Sequence, residues 1–208
     1  SRGLGDVYKR QIKNLLKKAT EKSAENSDDN HIDLFHPNYA DQKISMDEVF
    51  ATNFNVGGGH FLFCDNIEEA SKNLKEIVNY ENVTELICLD PKLQEMLTTN
   101  QIPFVVNPCD SRYTLSFLSC EFLIAFDGSI MLSAHQTCGR NIDDFPSNFI
   151  IYARPSQLVE NVGAALQKLR TLKKDNLPSK ITSIRGKNMH KFPNIQNAKN
   201  IYLLLVEE

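Results

Sequence analysis

The sequence lacks an apolar run long enough to cross a bilayer and lacks an excess of basic charge. A membrane-spanning helix needs about 18–20 consecutive apolar residues, so no transmembrane segment is expected. The formal net charge of −3 argues against general nucleic-acid binding, which usually requires a basic surface. Because the first residues also lack the apolar core of a secretory signal peptide, we expect a cytoplasmic protein.

Cysteine pairs with metal-ligand spacing are missing as well. The five cysteines lie 24, 21, 11 and 18 residues apart, so no CxxC or CxxH pair is available for zinc or an iron–sulfur cluster. The histidines form no i, i+4 pair, and no metal site is predicted. Three cysteines lie in or beside apolar runs and are expected to be buried, reduced thiols: Cys64, Cys88 and Cys120.

The composition is that of one globular domain with an N-terminal extension. The chain has 208 residues, of which 41% are hydrophobic and 24% charged. Residues 1–11 share no character with the rest of the chain and are interpreted as non-native. Ile12–Lys22 is predicted to be a short basic helix, either solvated or able to contact an anionic membrane surface or a partner. An acidic linker comes next, so residues 1–44 are predicted to be a flexible segment and residues 45–208 the folded domain.

From Ser45 onward, helical patterns alternate with short apolar runs. Ser45 and Glu48 form a capping box for a first helix, which Gly57-Gly58-Gly59 ends. Later helices are predicted after Asp65, Asp90 and Ser156. Strands are predicted at His60–Cys64, Leu86–Leu89, Pro103–Val106, Phe149–Ala153 and Ile201–Val206, with a further short one at Ile181–Ile184. Continuously apolar strands alternating with helices predict an open, mostly parallel sheet with helices on both faces and the last strand near its centre.

The strongest local signal lies in the stretch Cys120–Ala134. Two β-rich runs, Phe122–Phe126 and Ser129–Ser133, flank Asp127-Gly128, which predicts a hairpin or tight turn. Ligands of α/β sheets bind at the carboxyl ends of strands. The amides of Gly128 and Ser129 and the hydroxyls of Ser129 and Ser133 are therefore candidates for holding a carboxylate or phosphate, the second interpretation beside a purely structural turn.

Other candidates for chemistry are scattered along the chain. Gly57 and Gly58 precede a strand, which is the reverse of a dinucleotide loop, so a helix stop is the main interpretation and ligand contact the second. Arg140 is a natural bidentate partner for an acid. Cys138 beside His135 suggests a thiol nucleophile, although no third orienting group is evident.

Four blocks resemble the LUD-domain family, the group of lactate utilisation protein C, in the form of its short single-domain members from the Bacteroidetes. The resemblance implies a fold of the sugar-isomerase and CoA-transferase (NagB/RpiA-like) superfamily. It also implies a part in oxidising L-lactate to pyruvate, beside bacterial partner subunits that hold iron–sulfur clusters. The blocks are Asn53–Ala70, Cys120–Ala134, Phe145–Leu166 and the terminal NIYLLLVEE.

The chain also departs from the family pattern. Gly128-Ser129 matches the family's turn and Arg140 stands for its arginine, but Ser133 is followed by Ala134 instead of glycine. Residues 181–186 lack the carboxylates of the family's late block. We therefore expect an accessory, non-catalytic protein that binds a small organic acid, with no cofactor in this chain and iron–sulfur clusters only on its partners. Two alternatives stay open: a stand-alone isomerase or CoA-transferase-like enzyme using Asp127 as general base, and a pure protein-interaction module.

Overall fold

The computed structural model describes residues 45–106, 113–187 and 198–207. The predictions for residues 1–44 and for Cys109 lie outside these ranges. No helix in the described ranges is long and apolar enough to cross a membrane. The α-helices are α1 (Met46–Val56), α2 (Ile67–Tyr80), α3 (Pro91–Thr99), α4 (Ala134–Thr137) and α5 (Val162–Leu172).

The strands coincide with the apolar runs of the sequence. Every strand that the sequence predicts is present, although the second and third are shortened to two residues each. The strands are β1 (His60–Cys64), β2 (Leu86–Ile87), β3 (Phe104–Val105), β4 (Leu115–Ser119), β5 (Phe122–Ile124), β6 (Ser129–Ser133), β7 (Asn148–Ala153), β8 (Leu158–Val159), β9 (Ile181–Gly186) and β10 (Ala198–Val206).

The larger sheet is parallel throughout and has the strand order β3-β2-β4-β7-β10-β1. The apolar strand β10 lies between β7 and β1, as its sequence predicts. Helices α2 and α3 cover one face, and α1 packs against the other. The predicted mostly parallel sheet with helices on both faces is therefore confirmed.

A second, smaller sheet has the order β9-β6-β5-β8 and mixed strand directions. It is continuous with the larger sheet because Arg185 and Gly186 pair with the first two residues of β10. Its inner face shares a core with α1 and the larger sheet, while α5 covers its outer face. The alternating pattern of the sequence does not reveal this division into two sheets.

The predicted hairpin is present at the centre of the second sheet. Strands β5 and β6 are antiparallel, with Phe122 opposite Met131, and Gly128 has a φ of +67°. Strand β5 ends at Ile124 and not at Phe126. The amides of Ala125 and Phe126 instead donate to the carbonyl oxygens of residues 159 and 160, on the side of β8.

The prediction for the last helix was wrong about its start. Pro155–Gln157 forms a 3-10 turn and Leu158–Val159 is strand β8, which pairs with β5. Helix α5 begins only after Asn161, whose side chain accepts a hydrogen bond from Ala164 N at 3.0 Å. The apolar residues before Asn161 thus complete a sheet edge, a tertiary role that helical spacing alone cannot distinguish from a helix face.

This start of α5 can be tested by removing its cap. Asn161→Ala is expected to lower the free energy of unfolding by about 1 kcal/mol, because the amide of Ala164 loses its acceptor. Ser156→Ala, at the helix start predicted from sequence, is the matched control and is expected to change it by less than about 0.5 kcal/mol. Urea unfolding of both variants measures the difference. A larger loss of unfolding free energy for Ser156→Ala than for Asn161→Ala would show that the helix begins after Ser156, as the sequence pattern predicts.

Candidate functional site

The chain passes from the parallel sheet to the second sheet at Cys120 and Glu121, directly after the carboxyl end of β4. Ligands of open α/β sheets bind beyond the carboxyl ends of parallel strands. Glu121 lies in this position, and only 8% of its surface is exposed. The side chain of Gln157 holds the joint by donating to the carbonyl oxygens of Cys120 (2.5 Å) and Glu121 (3.3 Å).

The carboxylate of Glu121 collects donors from three elements. Its Oε1 atom accepts hydrogen bonds from Lys173 Nζ at 2.6 Å, Ser133 Oγ at 2.7 Å and Gln136 Nε2 at 3.1 Å. Ser133 ends β6 and caps α4, and Lys173 follows α5. A buried carboxylate is tolerated when it is paired and hydrogen-bonded in this way. The group formed by Glu121, Ser133, His135, Gln136 and Lys173 is called the Glu121 cluster below.

His135 completes the cluster on its exposed side. Its Nδ1 atom lies 3.0 Å from Lys173 Nζ and 3.5 Å from Glu121 Oε1. An ammonium group can only donate, so the contact with Lys173 assigns Nδ1 as an acceptor and places the ring hydrogen on Nε2. In this arrangement the imidazole ring is held by its Nδ1 atom.

The electrostatics keep Glu121 ionised. Burial by itself raises the pKa of the carboxyl group, but hydrogen bonds from Lys173, Ser133 and Gln136, together with the charge of Lys173, outweigh it. The pKa of Glu121 therefore lies below its usual value, and the group is a carboxylate at neutral pH. The cluster combines an anion, a cation and an imidazole within hydrogen-bond reach of one another.

A groove of about 390 Å³ opens beside the cluster. His135 and Lys173 line it from the cluster, and the residues after α5 supply Lys174, Asp175 and Asn176. The ammonium group of Lys173 is already paired with Glu121, so Lys174 supplies the positive charge that a ligand can meet in this groove. Asp175 is the carboxylate among the lining residues. The groove can therefore receive a small polar molecule with an acidic group next to His135.

The Asp127-Gly128 turn lies at the opposite end of β6 from Ser133. Asp127 Oδ1 accepts from the amide (2.9 Å) and the hydroxyl (2.6 Å) of Ser129, and Oδ2 pairs with Arg185. The amide of Gly128 donates to Ile124 O at 3.0 Å. Both amides that the sequence predicts for anion binding, and the Ser129 hydroxyl, are thus hydrogen-bonded within the hairpin.

Helix α1 packs on the same turn. Asn53 Nδ2 donates to the carbonyl oxygens of Ala125 (2.9 Å) and Phe126 (3.1 Å). A Cβ atom added to Gly128 would lie 2.5 Å from Asn53 C, so the backbones of turn and helix are in direct contact. These contacts favour the structural alternative for the turn over ligand binding.

The glycine loop after α1 meets the end of β9. A Cβ atom added to Gly186 would lie 2.5 Å from Gly58 C and 2.7 Å from Gly57 O. Gly57 and Gly58 therefore approach another backbone closely, and they reach the same region as the Asp127–Arg185 pair. The structure brings the predicted residues Gly57, Gly58, Asp127, Gly128 and Ser129 together, while Ser133 lies in the Glu121 cluster.

Arg140 and Cys138 follow the short helix α4. The amide of Arg140 donates to Thr137 O at 3.1 Å, and its side chain is partly exposed. Cys138 is an exposed free thiol with a φ of +49°. The Nδ1 atom of His135 is directed to Lys173 and Glu121, which favours a role for His135 in the Glu121 cluster over activation of Cys138.

The remaining described cysteines have the character that the sequence predicts. Cys64, Cys88 and Cys120 are buried free thiols. Burial raises the pKa of Cys64 to about 11 and that of Cys88 to about 12, and it raises the pKa of Cys120 as well. Protonated, buried thiols are poor nucleophiles and poor metal ligands. Among the described residues, no group of three His, Cys, Asp or Glu side chains could hold a metal ion.

Sequence reasoning missed Glu121 and Lys173. The available signal for Glu121 was its place between two apolar runs, where a charged residue must be either exposed or paired. Nothing local links it to Lys173, 52 residues later in the chain. Only the packing of α5 against the second sheet brings the two together.

Comparisons with known proteins support the fold. No family model and no curated protein matches the chain. The crystal structure of a DUF162 family protein from Deinococcus radiodurans superposes with a TM-score of 0.61 at 16% identity, over 78% of this chain and 99% of that one. Ribose 5-phosphate isomerase A from Methanocaldococcus jannaschii matches with a TM-score of 0.30 at 13% identity, over 63% of this chain and 68% of that one, which is too low to carry an argument. The first match shows that the two chains share a fold.

Proposed function

We propose that the chain is a LUD-domain protein that binds a small organic acid and acts as an accessory component of L-lactate oxidation to pyruvate. It would work in the cytoplasm beside subunits that hold the iron–sulfur clusters. The observation that carries the proposal is the position of Cys120–Ala134, one of the blocks that resemble the LUD-domain family. That stretch supplies Glu121 and Ser133 to a cluster at the carboxyl end of a parallel strand, where this type of sheet binds ligands.

The proposed acid site uses the groove beside His135. The Nε2–H group of His135 and the ammonium of Lys174 would donate to the ligand carboxylate, while Lys173 stays bound to Glu121. Glu121 acts through the other two groups: it fixes Lys173, and Lys173 fixes the imidazole. The turn residues Asp127, Gly128 and Ser129 would then hold the hairpin on α1, whereas Arg140 stays a candidate for reaching the ligand from the loop after α4.

Binding of the acid is tested by calorimetric titration of the full chain with L-lactate and pyruvate. L-lactamide, which has the same shape without the charge, is the matched ligand control. We expect saturable binding of the acids, little binding of the amide, and about a tenfold loss of affinity in His135→Ala, as for the loss of one hydrogen bond to a charged group. Equal binding of lactate and lactamide, or no binding at millimolar concentrations, would contradict the proposal.

The partners are tested in the source organism. A tagged full-length chain purified from cells grown on L-lactate is expected to bring down subunits with an iron–sulfur absorption spectrum. A chain that purifies without iron-containing partners under these conditions would contradict the accessory role, even if it binds the acid.

A stand-alone enzyme of CoA-transferase type is the second candidate, and Glu121 is the observation that favours it. Such an enzyme needs a carboxylate at a strand end, and Glu121 occupies this place, while Asp127 is paired with Arg185. The burial of Glu121 behind Lys173 and His135 argues against this enzyme, because the acyl group of the substrate would have to reach the Glu121 carboxylate. We expect no transfer of CoA from acetyl-CoA to L-lactate, a reaction that would form lactoyl-CoA and release acetate. Such turnover, abolished in Glu121→Gln, would favour the enzyme instead.

A further inference from the structure

A second groove, of about 490 Å³, lies at the amino ends of β1 and β10, away from the Glu121 cluster. One wall is a stripe of α2 that includes Glu76, Ile77 and Tyr80, and the other is formed by β1 and β10. The groove exists because β1 is an edge strand of the parallel sheet. Helix α2 does not cover the first residue of β1, His60, which is exposed. It is called the Glu81 groove below, and the proposed acid site does not use it.

Glu81 is held in this groove by neutral donors. Its Oε1 atom accepts from Tyr202 Oη at 2.5 Å and from Asn200 Nδ2 at 3.4 Å, and Oε2 accepts from Asn148 Nδ2 at 3.3 Å. These donors come from two different strands and fix the direction of the carboxylate. None of its contacts among the described residues is a Lys or Arg side chain, so the negative charge is oriented but not neutralised.

The end of helix α2 makes the electrostatic potential around Glu81 more negative. Glu81 is the C-cap residue of α2, and the last turn of α2 contains no basic residue. The carboxyl end of a helix carries partial negative charge, so a carboxylate there is unfavourable and a cation is favoured. Glu76, exposed on the same stripe of α2, has Lys72 Nζ at 4.0 Å from its Oε1 atom, so the negative potential of the groove comes mainly from Glu81.

Aromatic rings complete the walls. The ring of His60 stacks on that of Tyr202, with centroids 4.8 Å apart and an interplanar angle of 19°. Tyr80 stands at the mouth with 77% of its surface exposed. Burial and the contact with Glu81 raise the pKa of Tyr202 to about 12, so its hydroxyl stays a donor to Glu81 at neutral pH. Ring faces next to a carboxylate are the surroundings that bind organic cations.

We propose that the Glu81 groove binds an organic cation, an ammonium or guanidinium group on an apolar stem. The charged head would lie between Glu81, Glu76 and the rings of His60 and Tyr80. The stem would lie on Leu62 and Ile77, the apolar part of the lining. An inorganic metal ion fits less well, because the groups around Glu81 are amides, a phenol and rings and offer few carboxylate ligands.

The test is a titration of the full chain with n-butylguanidinium and n-butylammonium, followed by NMR. The alcohol n-butanol, which is isosteric with n-butylammonium, measures the contribution of the stem alone. We expect at least one cation to bind about ten times more tightly than the alcohol, with shifts at His60, Asn200 and Tyr202. N-acetyl-arginine amide and N-acetyl-lysine amide form a second arm: tighter binding of these identifies a protein side chain as the natural source, and weaker binding a small free cation.

Variants separate the site from general charge. Glu81→Gln is expected to lower the affinity for the cation about tenfold, while Tyr202→Phe, which keeps the ring stack, lowers it less. Glu95→Gln removes an exposed carboxylate from α3 and is expected to leave the affinity unchanged. Equal binding of alcohol and cation, or equal losses in Glu81→Gln and Glu95→Gln, would overturn the proposal. L-lactate titration of Glu81→Gln keeps the two grooves distinguishable, since the acid is expected to bind this variant normally.

Discussion

Gly128→Ala is expected to destabilise the protein by about 2–5 kcal/mol, because two costs add at this position. The φ of +67° costs an L-residue about 1–2 kcal/mol. The new methyl group would also lie 2.5 Å from Asn53 C and 2.8 Å from Asn53 O. Helix α1 cannot move away without disturbing Phe50 and Phe54 in the core, so this overlap costs about a further 1–3 kcal/mol.

Gly139→Ala separates the two costs. Gly139 has a similar φ of +77°, but a methyl group there would meet no atom within 4 Å. It is expected to lose only about 1–2 kcal/mol, the conformational part. Urea unfolding followed by circular dichroism measures both variants. Equal losses would show that the turn is not packed against α1 and would reopen the turn as a ligand site.

Lys173→Met is expected to lower the free energy of unfolding at neutral pH by about 3 kcal/mol. The substitution removes a donor 2.6 Å from Glu121 Oε1 and leaves the carboxylate buried without its cation. Breaking a buried ion pair on one side costs about 3–5 kcal/mol. The lower end applies because the side chain of Lys173 is 30% exposed, whereas that of Glu121 is 7% exposed.

The loss should depend on pH in a defined direction. In the native chain the pKa of Glu121 lies below its usual value of 4.5, so the pair contributes its stability above that pH and loses it as the pH falls through the folded pKa. Without Lys173, burial raises the pKa of Glu121 against fewer opposing interactions. As the pH falls, the carboxylate of the variant is therefore protonated earlier, and protonation removes the unpaired buried charge. The difference between the native chain and Lys173→Met is therefore expected to shrink from about pH 7 to about pH 3.

Two further variants make this result specific. Lys72→Met removes an exposed lysine 4.0 Å from Glu76 and is expected to change the stability by less than about 0.5 kcal/mol. The double variant Glu121→Gln/Lys173→Met should recover part of the loss, with a coupling of about 1–3 kcal/mol between the two positions. Strict additivity would mean that the ion pair is not formed.

Local chemistry was sufficient to predict most elements of the fold. Apolar runs bounded by caps and glycines predicted most of the strands, although not β4 or β8, and the Asp127-Gly128 turn predicted the hairpin, because side-chain periodicity and turn geometry depend on neighbouring residues only. The same reasoning failed where a segment has two local solutions. Leu158 and Val159 suit a helix face as well as a strand, and the edge of β5 decides between them.

By itself, the sequence determined an α/β protein with a mostly parallel sheet, buried thiols and a glycine turn in the stretch Cys120–Ala134. Only the tertiary structure decided where chemistry is possible. In the folded chain the Asp127-Gly128 turn packs against α1, and Glu121 contacts Lys173 and His135 at the end of β4. The physical reason is that a buried charge must find a partner, and the partner is chosen by how the sheets and α5 pack. Spacing along the chain carries no information about that choice.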